Sequence, residues 1–101
     1  NAPKKYVSVK KILKTVADFY EINEHDLMHR SRKKDVVKPR QIAMYLMRDE
    51  LKLSYPSIGD RFGGRDHTTA IHSCEKIVHD LTINPELEDE IRMIKDRIFS
   101  E

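Results

Sequence analysis

The chain has 101 residues, 39% hydrophobic and 36% charged, with three glycines, four prolines and one cysteine. That size supports one domain with a modest core, and a lone cysteine excludes an internal disulfide and makes a cytoplasmic protein the natural reading. No apolar run approaches a membrane span and no signal-peptide pattern opens the chain, so no membrane contact is expected.

The formal net charge of +2 conceals a gradient: residues 1–65 hold 15 Lys/Arg against 8 Asp/Glu, and residues 66–101 hold 4 against 9. A basic half and an acidic half predict one face made for a polyanion and one turned away from it. Residues 1–7 are polar and read as a linker end or the remnant of a cleaved tag, with the domain proper over 8–101.

Ser8 is placed to cap a helix over 9–20, where Val9, Ile12, Leu13, Val16 and Tyr20 share one face. Asn23 is placed to cap a short helix over 24–29 with Leu27 and Met28 inward. His25 and His29 have the spacing of a helical metal pair, but only Asp26 stands nearby as a third ligand, so surface histidines and no metal site are expected. Residues 30–40 carry six cations and one acid, which predicts a basic loop up to Pro39. An arginine on such a loop can enter a minor groove, where A·T-rich sequence deepens the negative potential.

Pro39 is expected to open a third helix running to about Lys52. Its stretch from Ile42 to Met47 is apolar nearly all round, the mark of a central buried helix. Arg40 and Gln41 fall in its first turn, where free N–H groups and the helix dipole favour a phosphate.

Residues 54–81 read as a short helix, a tight turn and a longer helix. Ser54 is an N-cap with Pro56 in the first turn, Ile58 and Phe62 share a face, and Gly63-Gly64 supply the positive φ of a sharp turn. Asp66 is the next N-cap candidate, and Ala70, Ile71, Cys74, Ile77, Val78 and Leu81 form an apolar stripe. The other side presents Arg65, Thr68, Thr69, His72, Lys76 and His79, which can touch phosphates or base edges. This is the layout of a helix-turn-helix. Asn84-Pro85 then breaks the helix, and Leu87, Ile91, Ile94 and Ile98 stripe a final acidic helix that reads as a buttress.

No P-loop run is present, and Asp66-His67-Thr68 are consecutive residues whose side chains diverge around a helix axis, so no catalytic residues are expected. Capping and base reading both remain open for Asp66.

Ile58-Gly59, the run from Phe62 to Thr69, Cys74 and Lys76-Ile77, with Arg32 and the run from Pro39 to Leu46 upstream, resemble the signature of the bacterial replication initiator family, DnaA. The resemblance covers roughly residues 7–99, the C-terminal DNA-binding domain of that family. It implies an all-α, Trp-repressor-like bundle of about five to six helices, which binds double-stranded DNA at A·T-rich nine-base origin boxes. Because one helical core uses up the apolar residues and no heptad seam extends over several turns, the domain is expected to be a monomer in isolation. The resemblance also implies an upstream ATPase domain of the same protein that carries ATP, with no cofactor in this domain. Matched residue by residue, Asp66, His67, Thr68 and Thr69 are expected near base edges and Arg32 in the adjacent minor groove. Arg40, Gln41, Arg48, Tyr55, Pro56, Arg65 and Lys76 are expected on phosphates and sugars. Three positions depart from the family's habit: Tyr55 and Ala70, where a common and a larger aliphatic residue respectively are usual, and Glu75, where a base is frequent. Two other readings compete: a helix-turn-helix transcription regulator, and a protein-interaction domain using the acidic C-terminal face.

Overall fold

A computed structural model describes residues 7–29, 34–64 and 66–100. The described elements are six α-helices and one 3-10 turn: α1 (Val9–Phe19), α2 (Glu24–Met28), the turn Lys34–Val36, α3 (Val37–Leu51), α4 (Tyr55–Arg61), α5 (His67–Leu81) and α6 (Pro85–Phe99). The all-α class and the helix-turn-helix of α4 and α5 agree with the sequence periodicity.

The helix starts are chemically specified. Ser8 Oγ accepts the Lys11 N–H at 3.1 Å, Asn23 Oδ1 the His25 N–H at 2.7 Å, and Ser54 Oγ the Ser57 N–H at 3.2 Å. Asn84, expected only to break a helix, also starts one by accepting the Glu86 and Leu87 N–H groups at 3.0 and 3.4 Å. Each bond satisfies a backbone donor that a helix N-terminus leaves without a partner.

Ile42, Ala43, Met44, Leu46 and Met47 make α3 the centre of the core, with α5, α1, α4 and α2 packed around it. Ile12, Leu13 and Val16 of α1 bury from one side, Ile58 and Phe62 of α4 from another. The α6 stripe of Leu87, Ile91, Ile94 and Ile98 is buried, and that helix packs on α1 and α5. Ion pairs pin α6 to both halves of α3: Lys38 to Glu90 at 3.0 Å, and Lys95 to Asp49 at 3.1 Å and Glu50 at 3.3 Å. Tyr20, just past the end of α1, donates its hydroxyl to the same Glu90 at 3.0 Å.

Two local readings are corrected. α3 begins at Val37 and not at Pro39, after a 3-10 turn where a loop was expected. Pro39 is tolerated inside the first turn because the N–H it lacks would have had no partner there. Val78, assigned to the apolar stripe of α5, is 53% exposed, and the buried stripe is Ala70, Ser73, Cys74 and Ile77. No helix among the described residues is long and apolar enough to cross a membrane.

Candidate nucleic-acid interface

The turn before α5 needs its glycines. Gly63 has φ +78° and Gly64 φ +71°, a backbone that side chains rarely adopt. A Cβ on Gly64 would meet nothing within 4 Å, so backbone conformation and not space demands glycine there. The turn delivers Asp66, whose extended backbone caps α5 and whose Oδ1 accepts the Thr69 N–H at 3.1 Å. The capping role is therefore occupied, and Asp66 stays exposed.

His67 and Thr68 are exposed in the first turn of α5, and Thr69 is half-buried beside them. His72, Glu75, Lys76 and His79 continue the exposed side of the helix. Along its two flanks lie side chains of α3 and α4. On one flank, Arg48, Lys52 and Tyr55 border a groove with Glu75, Val78 and His79. On the opposite flank, Lys38 and Gln41 border a smaller cleft with Lys76 and Asp80. α5 thus presents a polar outer face between two cation-bearing edges. A helix of this kind fits a groove between two phosphate chains.

The expected contact residues divide by position. Gln41, Arg48, Tyr55, Asp66, His67, Thr68, Thr69 and Lys76 belong to this surface or its margins, and Pro56 is exposed in the first turn of α4. Lys76 is exposed and bonds Asp80 at 3.1 Å, one turn further along α5. Arg48 donates to the Leu53 carbonyl at 2.9 Å and stacks over the Tyr55 ring, 4.4 Å from its centroid. Arg32 and Arg65 lie outside the described residues.

Arg40 departs from the expectation of a phosphate contact. It is 6% exposed, and its guanidinium donates to the carbonyls of Leu27 at 3.0 Å, Asp26 at 2.9 Å and His29 at 2.8 Å. Like any helix, α2 leaves its last carbonyls without intrahelical donors, and Arg40 satisfies them from a neighbouring helix. The position in a first helical turn suggested an anion; the nearby carbonyls take the side chain instead.

The sequence reading passed over Lys38 and Lys52, which stand on the two edges. Spacing could have found them, since Lys38 is i−3 from Gln41 and Lys52 is i+4 from Arg48. Two titratable groups near the groove are unsuited to acid–base work. Burial pushes the Cys74 thiol up to about 11, and burial followed by Asp49 raises Tyr45.

Residues 9–77 match the family model of the bacterial DnaA protein helix-turn-helix. Over 97 residues the chain is 43% identical to the chromosomal replication initiator protein DnaA of Limosilactobacillus reuteri, covering 96% of this chain and 22% of that protein. The protein of the same name from Treponema pallidum is 41% identical over 98 residues, 97% of this chain and 21% of that protein. That of Levilactobacillus brevis is 44% identical over 90 residues, 89% of this chain and 20% of that protein. The chain therefore spans about a fifth of the length of the curated relatives it matches. With a helix-turn-helix in place and a family match across most of its length, the chain belongs to the bacterial DnaA helix-turn-helix family.

Proposed function

We propose that this domain binds double-stranded DNA sequence-specifically, at A·T-rich nine-base boxes of a replication origin, as the DNA-reading part of a longer ATP-dependent initiator. The observation that carries the reading is the outer face of α5, exposed at His67 and Thr68 in its first turn and bordered along its C-terminal half by Arg48 and Lys52 on one flank and Lys38 on the other. In this reading α5 enters the major groove with Asp66, His67, Thr68 and Thr69 at base edges. A carboxylate can accept from a base amino group, and a threonine methyl can pack on a thymine methyl. Gln41, Arg48, Pro56, Arg65 and Lys76 set the register on phosphates and sugars, and Arg32 enters the adjacent minor groove. The domain acts as a monomer on each box and performs no catalysis of its own; ATP chemistry resides on the upstream domain.

Asp66 provides the test. A carboxylate facing a phosphate-lined groove is electrostatically costly, and a base amino group is the partner that offsets the cost. Asn caps about as well as Asp, so Asp66→Asn keeps the fold. Titrating a box duplex and a scrambled duplex at one salt concentration should show the box-to-scrambled affinity ratio falling about tenfold, equivalent to about 1.4 kcal/mol. Scrambled-site affinity should hold or rise slightly, because one negative charge is gone. An unchanged ratio with an intact melting curve would leave Asp66 as a cap only. Equal affinity of the wild-type domain for both duplexes would overturn the reading as a whole. A genome-wide survey of bound sites separates the initiator from a transcription regulator, since the former predicts clustering at an origin.

A further inference from the structure

Arg48 is exposed, yet it is held at two points. One Nη1 hydrogen bond of 2.9 Å runs to the Leu53 carbonyl, and the guanidinium carbon lies 4.4 Å from the centroid of the Tyr55 ring. The chain between them is bent to make this possible. Lys52 takes the left-handed conformation, φ 57° and ψ 32°, where it ends α3. Leu53, whose carbonyl Arg48 reaches, follows directly, and Tyr55 begins α4 two residues later.

We infer that Tyr55 is a positioning residue: its ring holds the Arg48 guanidinium at the edge of the interface, ready to meet a DNA phosphate. This rests on the DNA-binding reading above. A free surface arginine loses much side-chain entropy when a phosphate captures it, and a guanidinium already ordered on an aromatic face loses less. The ring face is what matters, because the Tyr55 hydroxyl makes no hydrogen bond among the described residues. The stack also has a competitor to exclude. Glu75 lines the same groove, and no Arg48–Glu75 ion pair forms among the described residues. The platform keeps the cation available for an anion outside the protein. Tyrosine in place of the aliphatic residue common at this position thus has a role of its own.

The test compares wild type, Tyr55→Phe, Tyr55→Leu, Arg48→Ala and the double variant Tyr55→Leu/Arg48→Ala, each titrated with a box duplex over a salt series. Tyr55→Phe should match wild type. Tyr55→Leu should bind about threefold more weakly, the range of an exposed cation–π contact, and shift the salt slope towards that of Arg48→Ala. In the Arg48→Ala background, Tyr55→Leu should have no further effect. An unchanged affinity for Tyr55→Leu, or a loss that persists without Arg48, overturns the inference, as does an equal loss in Tyr55→Phe.

Tyr55 also packs against the core, so a wild-type measurement complements the variants. Nitrogen-15 relaxation of the Arg48 Nε–H in the free domain should report an ordered side chain. A freely rotating guanidinium overturns the inference without any substitution. Failure of the wild type to prefer the box duplex would refute the functional reading instead, and the relaxation measurement, which needs no DNA, tells the two failures apart.

Discussion

Arg40, near the start of α3, donates to three backbone carbonyls and is 6% exposed, whereas Arg48, near the end, bonds one carbonyl, leans on one ring and faces solvent. The same side chain on one helix completes the scaffold at one end and borders the groove beside α5 at the other. Which role it takes depends on the acceptors within reach. At the start of α3 the carbonyls at the end of α2, the buried one of Leu27 and the part-buried ones of Asp26 and His29, are the acceptors within reach. At the end of α3 the turn through Lys52 offers a single carbonyl, and guanidinium donors remain for an outside partner.

The contrast breaks most visibly at Arg40. Arg40→Ala should cost about 3 kcal/mol of stability, because it opens space and strips one buried and two part-buried acceptors of their donors. Denaturant unfolding measures this; a loss below about 0.5 kcal/mol, the scale of an ordinary surface substitution, would erase the distinction between the two arginines. Arg40→Lys should recover only part of the loss, since one ammonium cannot reproduce the planar fork.

Arg48→Ala should do the reverse. Stability should stay within about 0.5 kcal/mol of wild type. Affinity for a box duplex should fall by about 1 kcal/mol, and the slope of log affinity against log salt should lose about 0.9, one phosphate contact. An unchanged slope would place Arg48 off the DNA.

The smallest effect concerns how α2 is brought to Arg40. After α1 the chain turns through Glu21 at φ 55°, with Glu21 N–H on the Asp18 carbonyl at 3.2 Å and Ile22 N–H on the Ala17 carbonyl at 2.9 Å. These are the bonds of a Schellman ending with glutamate where glycine is usual. Glu21→Gly should raise stability by about 0.5 kcal/mol, the left-handed strain it relieves less the entropy glycine adds to the unfolded chain. A thermal melt resolves the sign; destabilisation would mean that the glutamate side chain contributes more than its backbone costs.

Periodicity and caps made most of the fold legible. Ser8, Asn23, Ser54 and Asp66 act within three residues of themselves, and the α3 and α6 stripes repeat at the helical period, so short windows of sequence contain them. Arg40 was illegible because its partners are the carbonyls at the end of another helix, and no local window shows which side chain will reach them. Val78 was misread for a related reason. Its spacing fits the stripe, but α3 and α4 do not close over it, and it lines an open groove instead. At the candidate interface, the residue types and the turn were legible, whereas the edge formed by Lys38 depended on how α3 crosses α5, and the Arg48–Tyr55 stack on the bend through Lys52 between α3 and α4.

Cys74 is the chain's only cysteine, 4% exposed at the groove beside α3, α4 and α5. Burial pushes its pKa up to about 11, which disfavours the reactive thiolate at neutral pH. A thiol dye therefore waits on the structure: colour develops when α5 lifts from α3 and the sulfur meets water. The chain carries its own stopwatch for that opening, and a duplex held on the outer face of α5 should make it run slow.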